Sequence, residues 1–266
     1  MLSYCVRAHN SSTASENRMH SDDVARRYGF QGGLVPGVSV FAYLTRPVVA
    51  RYGAEWLARG WAEVSFAKPA YEGELLTVSP AAAEGLPGDG LSLTCTNAAG
   101  VELARMRAGI ASTPVTPDAR ASVSPAQPPA ERPEATWELM RIGVPFPALG
   151  WHPTAEDNGG WCEDVSDDLP LYREGDAPLL HPGFVLRQAN FVLRNRFLLP
   201  AWIHVGSRVT FHQALRAGAT YEVRAIPEEK WERKGHEFVR LYVAILAGDS
   251  VMAEVIHTAI YRPRRA

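Results

Sequence analysis

The stretch LVPGVSVFAYLTRPVV (residues 34–49), followed by GWAEVSFAKPAYEGELLTV (60–78), sets the pattern of the whole chain. It is echoed by LLHPGFVLRQANFVLRNRF (179–197), followed by GSRVTFHQALRAGATYEV (206–223). Phe66 matches Phe211, Gly73 matches Gly218 and Val78 matches Val223, all at an offset of 145, and Gly37 matches Gly183 at 146. One matching glycine means little, but an ordered set of four marks an internal repeat. In each copy a Pro-Gly pair opens an apolar helix, expected over about 37–52 and 183–199. Pro47 is expected to kink or shorten the first of them.

Period-two alternation of β-branched and aromatic residues follows each helix. The expected strands lie near Ala62–Phe66, Leu75–Ala83, Leu91–Thr96 and Glu102–Ala111 in the first half. In the second they lie near His204–His212, Thr220–Pro227, Glu237–Leu246 and Val251–Tyr261. Gly88-Asp89-Gly90 and Ala247-Gly248-Asp249 read as hairpin turns. A helix followed by a four-stranded meander must bury its apolar side on one sheet face, and two such units can share a sheet.

The segment between the copies, STPVTPDARASVSPAQPPAERPE (112–134), has six prolines and no aromatic residue, the composition of an extended linker. It divides the 266 residues into units 1–111 and 135–266. The net charge of -2 offers no basic surface for nucleic acid or an anionic membrane. No apolar run approaches the length of a membrane span, and no charged n-region precedes an apolar stretch at Met1. Three scattered cysteines, Cys5, Cys95 and Cys162, suit neither a disulfide framework nor a zinc site. A cytoplasmic protein with no metal is the expectation.

Two further stretches carry a resemblance. ASENRMH (14–20) stands before SDDVARRYGF and then LVPG, and SDDLPLY (166–172) stands before LLHPG. This arrangement resembles the MaoC-like hydratases and dehydratases in their double-hotdog form, whose motif G-D-x-N-P-[IL]-H precedes an apolar-x-P-G helix start. The resemblance implies an α+β fold: two helix-plus-antiparallel-meander repeats forming one continuous sheet wrapped on two central helices. It also implies an acyl thioester as the small-molecule partner, with a coenzyme A or carrier-protein arm as part of the substrate and no other cofactor. Association of two such chains into a homodimer is left open.

The motif is divided between the halves. The first keeps Asn17 and His20 but has Ser15 and Arg18 where the family has Asp and Pro. The second keeps Asp167 and Pro170 but has Leu169 and Tyr172 for Asn and His. Water addition to a conjugated thioester needs a base, an acid for the α-carbon, and donors for the enolate-like oxygen. His20 is the leading candidate for the proton-transfer group, with Glu16 or Asn17 as its orienting partner. Asp167 and Tyr172 are weaker catalytic candidates. Gly37 and Gly183 open the two helices, where amides are unpaired and a ligand can come close. With Ser15, and with His181 beside the second helix start, they form the expected substrate-binding set. His204, His212, His236 and His257 are expected to be non-catalytic. Gly29–Gly33 reads as a helix cap and turn, the Arg262–Arg265 tail as a solvated end, and Trp151 and Trp161 as packing residues. Three functions stay open: a hydro-lyase on enoyl or 3-hydroxyacyl thioesters, a hotdog enzyme of another class such as a thioesterase or isomerase, and an acyl-binding protein.

Overall fold

The computed structural model describes residues 3–82 and 90–264. The first half contains β1 (Tyr4–Arg7), α1 (Asp22–Arg27), α2 (Gly37–Tyr52), α3 (Ala54–Arg59), β2 (Gly60–Phe66), β3 (Leu75–Pro80), β4 (Leu91–Asn97) and β5 (Glu102–Ile110). The second contains β6 (Leu149–Trp151), α4 (Ala155–Asp164), α5 (Pro182–Arg196), β7 (Ile203–Phe211), β8 (Tyr221–Arg233), β9 (His236–Ala247) and β10 (Ser250–Arg262). All ten strands form one antiparallel sheet in the order β1-β3-β4-β5-β2-β7-β10-β9-β8-β6. Read outward from the centre, each half repeats the other. The halves join through β2 and β7, the two equivalent strands, with Ala62 opposite Val209 and Val64 opposite Ser207. This is the double-hotdog arrangement.

The repeat marks keep their places. Phe66 and Phe211 end β2 and β7, and Gly73 and Gly218 both take positive φ, 75° and 82°, in the turns before β3 and β8. Gly248-Asp249 forms the two-residue turn between β9 and β10, whereas Gly88 and Asp89 lie outside the described residues.

The helices α2 and α5 lie together against the sheet, and their apolar residues merge into a single large core. Gly183 makes this close approach possible: a Cβ there would stand 2.9 Å from the Ala42 Cβ and 3.1 Å from the Val38 carbonyl oxygen. The helix α2 runs over its expected span to Tyr52 and is not shortened at Pro47. Val48 and Val49, just beyond it, are buried. Their packing holds the last turn although Pro47 donates no helical hydrogen bond.

The 112–134 segment is irregular apart from a 3-10 turn at Ala119–Ser122, which inserts Ala121 against Tyr242, Ala244 and Leu246. Irregular chain continues beyond it to β6.

Candidate functional site

His20 ends a short 3-10 turn that Asn17 caps by accepting the Met19 amide. The same Asn17 oxygen accepts the Trp202 amide at 3.2 Å, and its Nδ2 donates to the Trp202 carbonyl at 3.0 Å. The motif loop of the first half is thus bolted to the second half just before β7. These contacts fix the orientation of the Asn17 amide, so the Nδ2 that lies 3.2 Å from His20 Nε2 is a donor to it. On the other side of the ring, His20 Nδ1 donates to the Leu34 carbonyl at 2.7 Å. One tautomer satisfies both contacts: hydrogen on Nδ1 and the lone pair on Nε2. Burial lowers the His20 pKa, partly opposed by the Leu34 hydrogen bond, so the ring is neutral at pH 7 and can take a proton.

The loop that brings Leu34 there needs its glycine. A Cβ on Gly33 would lie 2.3 Å from the His20 carbonyl oxygen, so glycine alone permits this approach. The Asp22 carboxylate accepts the Gly33 amide at 2.8 Å, tying the loop to the start of α1. Gly29, with φ 84°, follows α1 as the expected cap glycine.

His20 and Asn17 border a cavity of about 260 Å³ whose wall is mostly apolar, including Leu34, Val40, Phe66 and Ile260. Gly37 lines it at the N-terminus of α2, where the first amides precede any helical hydrogen bond. Asn190, Trp202 and His204 come into it from the second half. Asn190 Oδ1, Trp202 Nε1 and His204 Nδ1 are buried without a hydrogen-bond partner among the described residues. Three unsatisfied polar atoms around an apolar cavity are what a ligand with a polar head would complete. A neighbouring pocket of about 50 Å³ shares Asn17, His20, Pro36, Asn190 and Trp202 with the first and adds Ser15.

His204, expected to be non-catalytic, is one of the residues that line the cavity. Between Thr258 and Ala259 the β10 partner jumps from Gly206 to His204, a bulge that turns His204 to the same buried side as Ser207. There its Nε2 meets Ser207 Oγ at 2.8 Å, which in turn meets His257 Nδ1 at 3.0 Å. Burial pushes the pKa of both histidines down, that of His257 to about 3. His204 Nδ1 lies against the start of α2, 3.0 Å from where a Gly37 Cβ would be.

Of the second half's candidates, Asp167 borders an open pocket, one it shares with Tyr4, Arg46 and Arg173 and not with His181, Tyr172 or Gly183. Asp167 Oδ2 accepts from His181 Nε2 at 3.1 Å, and His181 Nδ1 accepts from Trp161 Nε1 at 3.1 Å and from the Gly183 amide at 3.0 Å. Every polar valence of His181 is therefore used inside the protein, and the ring is fully buried. Burial lowers its pKa against the opposing pull of Asp167. His181 does not face a ligand site as expected: it caps its own helix and occupies the Gly183 amide proposed for the oxyanion. The bare face of Gly183 is filled by Ala42 and Trp161. Tyr172 is also fully buried, its ring centroid 4.7 Å from that of His181. Tyr172, His181 and Gly183 thus make a packed core, and Asp167 stands between it and the pocket that holds Arg46, whose Nε lies 3.8 Å from Asp167 Oδ1.

Glu16 is likewise not brought to His20. Its carboxylate pairs with Arg132 at 3.1 Å, because the linker crosses the motif loop there. Ser15 Oγ donates to the Asn17 carbonyl at 3.1 Å. Trp161 belongs to α4, whose capping box is Thr154 with Asp157, and Trp151 packs on Phe184 and Tyr221. Arg262 of the tail pairs with Glu237. Among the described residues no three His, Cys, Asp or Glu side chains are arranged to hold a metal ion, and no helix is long and apolar enough to cross a membrane.

No protein-family model and no curated protein sequence matches this chain. Solved structures do. A Chloroflexus aurantiacus J-10-fl protein named as a MaoC-domain dehydratase superposes with a TM-score of 0.68 at 13% identity, over 99% of this chain and 94% of its own. A conserved Mycobacterium tuberculosis protein with a double hotdog fold gives 0.63 at 15%, over 97% and 95%. A Lactobacillus plantarum protein named as an oleoyl thioesterase gives 0.53 at 14%, over 98% and 96%. At such identities the likeness concerns architecture, and one architecture serves different reactions. The chain has the double-hotdog fold found in MaoC-like dehydratase structures.

Proposed function

We propose that the protein is a hydro-lyase-type enzyme that adds water to, or removes it from, an acyl thioester at the double bond next to the carbonyl. The observation that supports it most is His20: a neutral imidazole, held in one tautomer by Leu34, with Nε2 at the wall of an apolar cavity beside the start of α2. In the hydration direction the long Asn17 contact to His20 Nε2 gives way to the bound water, and Nε2 takes a proton from that water as the oxygen bonds to the β-carbon. The double-bond electrons move toward the thioester carbonyl, whose oxygen gains negative charge. Amides at the start of α2 are suited to hold that oxygen. The imidazolium then returns its proton to the α-carbon, restoring the carbonyl and the resting base. Because Ser15 carries no charge and Glu16 is turned away, the water is oriented by neutral groups, with Asn190 Oδ1 the available acceptor.

The substrate arm is coenzyme A or a carrier protein on this reading, and the three unpaired cysteines suit a reducing, cytoplasmic setting. The test is incubation of a short trans-2-enoyl thioester in deuterated water. Deuterium at the α-carbon together with a new β-hydroxyl supports the proposal. Release of free thiol without it would transfer the same base to thioester hydrolysis, the second reading, which the absence of a motif carboxylate at residue 15 favours.

A further inference from the structure

The small pocket beside His20 has an unusual electrostatic make-up. Arg187 and Arg194 on α5 both line it, together with Ser12 and Ser15. Seven residues apart, they fall on one face of the helix. Phe191 lies between them: the Arg187 and Arg194 guanidinium carbons each sit 4.7 Å from its ring centroid. Arg187 also lies 5.4 Å from the Trp161 ring. Among the described residues neither guanidinium forms an ion pair, although Arg46, Arg120 and Arg132 all do. Burial and the like charge of Arg194 both work against the charge on Arg187, and Asp164 relieves it only at longer range. The motif loop offers no relief, since Ser15 is neutral and Glu16 is committed to Arg132.

A half-buried pair of cations without an anion is unfavourable unless a ligand supplies one. We infer that this pocket is an anion subsite for a carboxylate carried on the acyl group, so that the preferred substrate is the monothioester of a short dicarboxylic acid. This rests on the thioester reading above. The pocket's volume of about 50 Å³ suits a group of carboxylate size, while the adjoining 260 Å³ cavity takes the rest of the ligand. A phosphate of the carrier arm shares the same anionic chemistry, so the test must separate the two sources.

The experiment is calorimetric titration with succinyl- and butyryl-N-acetylcysteamine, which lack phosphate, and with coenzyme A alone. Methyl hydrogen succinate and methyl butyrate are the pair without a thioester. The proteins are the unaltered chain, Arg187→Met, which keeps an apolar stem on Trp161, and Arg194→Gln. The expected result is tighter binding of each carboxylate-bearing ligand by about 10-fold or more, a margin that shrinks in both variants while coenzyme A binding is unchanged. No preference in the unaltered chain overturns the inference. So does loss of coenzyme A affinity in the variants with the preference intact. A preference within the ester pair but no binding of either thioester would keep the anion subsite and overturn the thioester reading instead.

Discussion

The two motif regions of this chain occupy equivalent places in equivalent folds, yet in one the histidine borders an apolar cavity and in the other it is packed away from any ligand. In the first half, Val35 precedes the Pro-Gly start of α2, and His20 has one ring nitrogen on a backbone carbonyl and the other at the cavity wall. In the second half, His181 stands at the position of Val35 and Tyr172 at that of His20. Tyr172 fills the space, and His181 takes the helix's own amide and bonds to Asp167. Both halves contain a polar histidine network of similar composition. What separates a site from a core is where the acceptor nitrogen lies. His20 Nε2 takes one long contact from Asn17, 3.2 Å, among residues that line the cavity, whereas His181 Nδ1 takes both Trp161 and the Gly183 amide inside the packed interior.

That contrast predicts opposite consequences for the two networks. The largest effect expected is from His20→Ala: kcat/KM on an enoyl thioester should fall about 10²–10⁴-fold. Its urea midpoint should move little. Asp167→Ala should do the reverse, destabilising the fold by about 3–5 kcal/mol, because His181 would keep a buried N–H with no acceptor. Activity per folded molecule should be nearly retained. Similar activity losses from both substitutions at equal folded fraction would erase the distinction between the halves.

The same comparison carries a pH signature. His20 acts as a base in its neutral form and its pKa lies below the usual 6.5, so kcat/KM should be flat at neutral pH. It should fall about tenfold per pH unit only once the pH drops below that lowered value. His181, His204 and His257 also have folded-state pKa values depressed by burial. The unfolded chain then binds more protons than the native one below about pH 6.5. Stability present at neutral pH should be lost as the pH falls, by up to about 1.4 kcal/mol per unit for each group. Urea titrations between pH 7 and 5 measure it.

Smaller effects sharpen the picture. Gly183→Ala places a methyl 2.9 Å from the Ala42 Cβ and should lower stability by about 1–3 kcal/mol, read as a shift in melting temperature. The smallest change is Tyr172→Phe. Its hydroxyl is buried with no partner among the described residues, so removing it should be neutral or stabilising by no more than about 1 kcal/mol. A marked loss would mean that the hydroxyl has a role the packed core does not explain.

Much of the architecture was legible because the repeat is written in glycines and apolar spacing. The Pro-Gly pairs mark the starts of α2 and α5, and Gly73 and Gly218 mark matching turns, for reasons internal to a few neighbouring residues. Where a local rule met tertiary packing, it failed. Pro47 does not stop α2, and Pro227 does not end β8, which continues to Arg233 past a register shift between Pro227 and Glu229. The short edge strands β1 and β6 had no alternating run long enough to notice.

The candidate site was legible at His20, Asn17 and Gly37, which sit together through loop chemistry close in sequence. Asn190, Trp202 and His204 were missed, for they reach the cavity from the other half, where no motif marks them. His204 was actively concealed. Strict alternation from Phe211, Val209 and Ser207 would turn it outward, and only the bulge opposite Thr258 and Ala259 turns it inward. Glu16 was misread for the converse reason, since its partner Arg132 lies in the linker, far along the chain.

The sequence by itself determined two repeated units, their helix starts, their turns and the histidine of the motif loop, all of which depend on short-range sterics and hydrophobic period. Which half would hold a cavity was decided only in the tertiary structure. That choice depends on where hydrogen-bond valences are used up and where side chains from the opposite half arrive, and neither is encoded in spacing along one strand.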